Sequence, residues 1–153
     1  MIMTETVSCG GVVIHKSKVL LLYKNHSKKD IGWVLPKGTV EDDENFRQAA
    51  LREVYEETKV RAKILKYIGK TQYNFKGAED FIDKTVHWYL MSAGSHFCRP
   101  QLEESFADAG FYKKHEAYHL LKFNDEKQTM LKAYDEYELL RKRAEASKQL
   151  RKS

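Results

Sequence analysis

Only two prolines, two cysteines and eight glycines occur in 153 residues. With so few of the first and last, the chain has no linker composition, and it shows no internal repeat or low-complexity segment. One domain spanning residues 1–153 is expected, long enough to bury a core without a staple. Cys9 and Cys98 belong to no Cys-x-x-Cys pair, and no His/Cys cluster has zinc spacing. Two reduced thiols are therefore expected, with Cys9 inside a strand. No apolar run is long enough to span a bilayer. Met1–Glu5 lacks the basic start and apolar stretch of a signal peptide, which points to the cytoplasm and away from membranes.

Negative charge is the scarcer sign: 22 Asp and Glu against 27 Lys and Arg give a net charge of +5. This balance suits a polyanionic small-molecule partner. Much of the excess sits in Arg141–Ser153, which carries no interleaved aromatics. That tail reads as a solvated helix end rather than a nucleic-acid surface. The sequence does not specify an oligomeric state.

Val7–His15 and Val19–Tyr23 are rich in Val, Ile and Leu and predict two neighbouring strands joined at Lys16-Ser17-Lys18. Asn25–Gly32 reads as a loop and Trp33–Leu35 as a short strand stopped by Pro36, with Gly38 as a turn residue. Asn45–Thr58 lacks Gly and Pro and carries Phe46, Ala49, Ala50 and Val54 at helical spacing. Val60–Phe75 looks extended, with Ile64, Tyr67 and Ile68 inward, and Thr85–Met91 is a run of strand formers. Gly94–Phe106 reads as a loop, Ala107–Tyr112 as a last strand and Glu116–Leu121 as a helical turn. Asp125–Leu150 predicts a long helix with Met130, Leu131, Tyr134, Tyr137 and Leu140 as its buried stripe. Strands, helix, strands, helix favours a layered domain with a mixed sheet.

Glu53, Glu56 and Glu57 stand at i, i+3 and i+4, so a helix places their carboxylates on one face. Like charges at that spacing destabilise a helix, and the helix dipole disfavours acids near its C-terminal end. A hard dication reverses that cost: Mg²⁺ takes oxygen ligands from a few carboxylates, water and phosphates. Arg52, four residues before Glu56, can pair with it and orient the cluster.

Gly38, five residues, Glu44, seven residues, then Arg52-Glu53-Val54-Tyr55-Glu56-Glu57 closely resembles the Nudix box. Val60 supplies the final aliphatic of that pattern, and Lys59 replaces its glycine. Lys in a left-handed helix-ending conformation costs about 1 kcal/mol relative to Gly. The resemblance extends through Ser8–Ile14, Gly32–Gly38 and Lys84–Met91. It implies the Nudix α/β/α sandwich around a mixed β-sheet, with a long C-terminal helix. It also implies that Glu53, Glu56, Glu57 and the Gly38 carbonyl bind Mg²⁺, or Mn²⁺ in its place. Glu44 and Arg52 would hold the loop and helix together. The general base would be a box glutamate or a later loop carboxylate, for which Glu103 and Glu104 are candidates.

Lys37 and, more weakly, Lys84 are candidate phosphate contacts, with solvated side chains as the plain alternative. Tyr73 and Phe75 are candidates for stacking on a base, against the commoner fate of strand packing. Trp33 and Trp88 read as packing residues, and the six histidines form no cluster. The implied reaction is hydrolysis of a phosphate–phosphate bond in a nucleotide. Trp33–Gly38 and Lys84–Met91 resemble bacterial diadenosine polyphosphate hydrolases, which leans towards diadenosine tetraphosphate; Asn74 stands where a second aromatic is expected. Oxidised nucleoside triphosphates (the MutT-like branch), nucleoside diphosphate sugars, diphosphoinositol phosphates and RNA 5′ ends remain as alternatives. A noncatalytic nucleotide-sensing module is a further one.

Overall fold

Two apolar segments with strand periodicity pair as an antiparallel hairpin within one larger sheet. The computed structural model describes residues 3–28, 30–78 and 80–152. β1 (Met3–His15) turns at Lys16 and Ser17, both at positive φ, into β2 (Lys18–Ser27). β1 also pairs in parallel with β6 (Phe81–Ser92), and β6 pairs antiparallel with β5 (Lys63–Lys76). β3 (Asp30–Val34) and β7 (Phe106–Lys113) both pair with β2, and β4 (Lys37–Thr39) pairs with β1. The result is one seven-stranded mixed sheet.

Period-2 alternation divides the apolar residues between its faces. Cys9, Val13, Leu20, Tyr89 and Met91 pack against Ala49, Ala50 and Val54 of α1 (Phe46–Thr58). Val12, Ile14, Leu21, Trp88 and Leu90 pack against Ala117 of α2 (Lys114–Leu120) and Met130, Ala133 and Tyr134 of α3 (Asn124–Lys152). Leu131, Tyr137 and Leu140 complete the α3 stripe as partly buried residues. Both cysteines are free thiols. No described helix is long and apolar enough to cross a membrane.

Several expectations need correction. Asn25–Gly32 is largely strand: β2 runs to Ser27 and β3 starts at Asp30, and a Lys24–Asp30 ion pair of 3.1 Å crosses the hairpin. Its polar residues suit a sheet edge facing water. Leu35 falls beyond the strand, and Gly38 lies in β4 opposite Cys9 rather than in a turn. Tyr67 points outward at 44% exposure, because register shifts at Ile64/Lys66 and Tyr67/Gly69 break the alternation. Phe46 is 41% exposed at the first turn of α1 and stacks on His87. Two histidines do meet, with the rings of His15 and His96 4.6 Å apart.

Candidate active site

Asn45 caps α1 through a capping box: its side chain accepts from Gln48 N–H at 2.8 Å, and the Gln48 side chain accepts from Asn45 N–H at 2.9 Å. This fixes where the helix starts and hence which way its acids point. At the other end Lys59 takes the left-handed conformation, φ 61, and donates its N–H to the Tyr55 carbonyl at 2.8 Å. The lysine thus adopts the geometry for which glycine is the easier residue.

Arg52 joins the helix to the preceding loop. Its guanidinium donates to Glu44 at 2.6 Å, to the Thr39 carbonyl at 2.9 Å, to Glu53 at 2.7 Å and to Glu56 at 3.2 Å. The bond from Arg52 holds the Glu44 carboxyl below its usual range. Glu53 is pushed above that range, chiefly by burial, with Arg52 opposing the shift. Glu57 is 8% exposed and is pushed up to about 8 by burial and then by Glu53. Its Oε1 accepts the Lys37 N–H at 2.9 Å. A Cβ at Gly38 would fall on the Glu53 carboxyl group, which would have to move aside.

Glu53, Glu56, Glu57 and Gly38 line one polar cavity of about 410 Å³, and Gln101 and Glu104 line it too. A second cavity beside Glu57 is lined by Glu103, Glu104, Ser105 and His26. Glu103 and Glu104 sit in a 3₁₀ turn, Leu102–Glu104. Arg99 N–H donates to the Thr58 carbonyl at 2.8 Å and Gln101 N–H to that of Glu57 at 3.1 Å, tying this loop to the end of α1. The structure therefore brings the loop acids to the helix acids.

The donor set suits a hard, oxygen-preferring cation: carboxylates crowded together, two of them pushed towards protonation. Among the described residues, no three Asp, Glu, His or Cys side chains form a ready-made metal cage. Arg52 lies between Glu53 and Glu56 and engages both. A cage is not what Mg²⁺ needs, because it keeps several waters and borrows substrate phosphates. Glu53, Glu56 and Glu57, with the Gly38 carbonyl, are the residues that would hold it.

Beside the acids lies a cavity of about 280 Å³ lined by Lys24, Lys37 and Lys84 together with Gly38, Glu57 and Ser8. Burial, then Lys37 and Lys24, lower the pKa of Lys84, so the amines feel one another. Lys37 and Lys84, the candidate phosphate contacts of the sequence, thus share one cavity, and Lys24, at the polar end of β2, joins them there.

Lys37, Tyr73 and Phe123 continue from that cavity into a more apolar one of about 310 Å³, whose lining adds Trp88, Val86, Thr71 and Glu126. Trp88 donates its indole N–H to Thr71 at 3.0 Å, so it is both core and pocket wall. Glu126 is 4% exposed and accepts the Leu35 N–H at 2.8 Å. Sequence reasoning missed Glu126 and Phe123, because an acid in the first turn of a long helix looks like ordinary dipole complementation. Phe75 stacks on Tyr73, ring centroids 6.1 Å apart, and lies outside the lining of these cavities. Trp33 packs between Tyr23 and Tyr112. A larger cavity, about 450 Å³, lies among Tyr55, Arg61, Phe97 and Arg99, but no carboxylate lines it.

Comparison with known proteins bears on the family and the fold. A family model described as NUDIX domain matches residues 5–134. A Bacillus subtilis (strain 168) protein provisionally named as an 8-oxo-dGTP diphosphatase, YtkD, is 47% identical over 60 residues, 39% of this chain and 37% of that protein. The matches span between 24% and 37% of the length of the curated relatives. A NUDIX hydrolase from Nitrosomonas europaea has the same fold, with TM-score 0.70 at 19% identity over 87% of this chain and 72% of that one. So does a C. elegans Ap4A hydrolase, with TM-score 0.67 at 18% identity over 83% and 94% of the two chains.

Proposed function

Since the chain belongs to the Nudix family, we propose that residues 1–153 form one domain, a pyrophosphohydrolase that cuts a phosphate–phosphate bond in a nucleotide, with Mg²⁺ or Mn²⁺ as cofactor. The observation that carries this reading is the continuity of the cleft. An apolar pocket for a base leads through three lysines to the acids of α1, with Lys37 lining all three cavities.

Lys24, Lys37 and Lys84 hold the phosphate chain, and Tyr73 and Phe123 flank the base. Glu53, Glu56, Glu57 and the Gly38 carbonyl are the metal ligands, while Arg52 and Glu44 position them. A divalent cation held there would supply charge neutralisation at the phosphates and a more acidic water. Glu104 borders both acid-lined cavities and is the loop carboxylate best placed to accept the proton of the attacking water; Glu103 borders only the outer one. Phe75 supports Tyr73 and does not itself stack on the base.

The substrate we favour is diadenosine tetraphosphate or a related dinucleoside polyphosphate, split into a mononucleotide and a triphosphate. The fold shared with the C. elegans Ap4A hydrolase is compatible with it. The resemblance to the Bacillus subtilis diphosphatase favours a second reading, an oxidised nucleoside triphosphate losing pyrophosphate. Incubation with Mg²⁺ and a panel of diadenosine tetraphosphate, 8-oxo-dGTP and nucleotide sugars, with products identified, separates the two. AMP and ATP are expected from the first. Binding across the panel without any product would defeat the enzymatic reading and favour a sensing module.

A further inference from the structure

We propose that Ser8 contacts the substrate directly, its hydroxyl hydrogen-bonding an oxygen of the phosphate nearest the nucleoside. The proposal rests on reading the cleft as a nucleotide site. Ser8 is 1% exposed, and among the described residues its Oγ is the buried side-chain polar atom without a hydrogen-bond partner. A buried hydroxyl left unsatisfied costs about 1–3 kcal/mol, so such a group calls for a partner from outside the chain.

Its place in the sheet says which partner. Ser8 stands in register with Val86 on β6 and Thr39 on β4. Strand alternation sends it to the face of Val12 and Ile14, towards α3, and away from that of Cys9 and Val13. It therefore opens into the cavity shared by Lys24, Lys37, Lys84 and Glu57. This cavity is the middle of the cleft: it shares Tyr73 and Phe123 with the apolar pocket and Gly38 and Glu57 with the acids. A nucleotide with its base in the first and its scissile bond at the second has its sugar and innermost phosphate here. Three amines around the same space select the phosphate, and a hydroxyl donating to an anionic oxygen makes a charge-assisted bond.

The test compares wild type with Ser8→Ala in three measurements. They are steady-state kinetics on the ribo and 2′-deoxyribo forms of the substrate, affinity for α,β-methylene ATP, and the melting temperature of the free protein. We expect KM to rise and analogue affinity to fall about tenfold, or about 1.4 kcal/mol. We expect kcat to change less than about twofold, with the same loss for both sugars. The melting temperature should stay or rise, since the substitution deletes no internal bond. Unchanged KM and affinity in an active enzyme overturn the proposal. So does a loss confined to the ribo form, which would assign the hydroxyl to the sugar. So does a lowered melting temperature that tracks the kinetic loss. If wild type hydrolyses no nucleotide, the functional reading falls by itself, and analogue affinity alone decides on Ser8. No analogue binding by wild type overturns both.

Discussion

Two buried glutamates make the same bond in different surroundings. Glu57, on α1, accepts the Lys37 N–H; Glu126, on α3, accepts the Leu35 N–H. Helices on opposite faces of the sheet thus grip the Leu35–Lys37 segment from both sides. Burial is the first cause of a raised pKa in each. The difference lies in their neighbours. Glu57 lines a cavity with Glu53 and Glu56, whereas Glu126 sits among Trp88, Tyr73 and Phe123 with Asp125 beside it. On the proposed function, the acid among acids would take a cation and the acid among aromatics would shape the base pocket.

The largest expected effect tests that contrast at once. Glu57→Gln keeps a carbonyl for Lys37 but removes the charge, so turnover with Mg²⁺ should fall at least about a hundredfold while the melting temperature of the free protein does not fall. Glu126→Gln should leave kcat within about threefold and act on KM. Steady-state kinetics of the pair would erase the distinction if both lost kcat equally.

Gly38→Ala comes next. Its Cβ would displace the Glu53 carboxyl group, and a misplaced group of this kind costs about a hundredfold in rate. Near-normal kcat would show that Glu53 can move without consequence.

Stability against pH sharpens the Glu126 side. Its carboxyl is held above the ordinary range, so the folded state keeps its proton to higher pH than the unfolded chain does. The resulting stability is complete below the unfolded pKa and is lost as pH rises through the folded one. Lys37 and Lys24 oppose the shift and Asp125 adds to it. Glu126→Gln should therefore raise the melting temperature at neutral and alkaline pH, by about 2–4 °C for each 1 kcal/mol recovered, and not in acid. An equal change at every pH would contradict this.

The smallest effect is expected at Lys59, whose φ of 61 favours glycine. Lys59→Gly should stabilise by about 0.5–1 kcal/mol in denaturant unfolding.

The two halves of the site were not equally legible. The helix acids, Arg52 and Gly38 could be grouped from sequence because they are local: α1 and the short strand β4 before it contain them all. The packing of Ala49, Ala50 and Val54 likewise follows from helical spacing. The apolar pocket draws Tyr73 from β5, Trp88 from β6 and Glu126 from α3, brought together only by sheet order. Tyr67 was misread because two bulges shift the β5 pairing, and bulges leave little trace in an alternating pattern. The edge hairpin was misread because its residues are polar on both sides.

The account stands on the acids of α1 collecting a divalent cation beside the phosphates. The most direct measurement is electron paramagnetic resonance of Mn²⁺ with α,β-methylene ATP, comparing wild type with Glu53→Gln/Glu56→Gln/Glu57→Gln. Protein-bound Mn²⁺ should form with wild type and be lost in the triple variant while that variant stays folded. Equal Mn²⁺ binding by both proteins would contradict it.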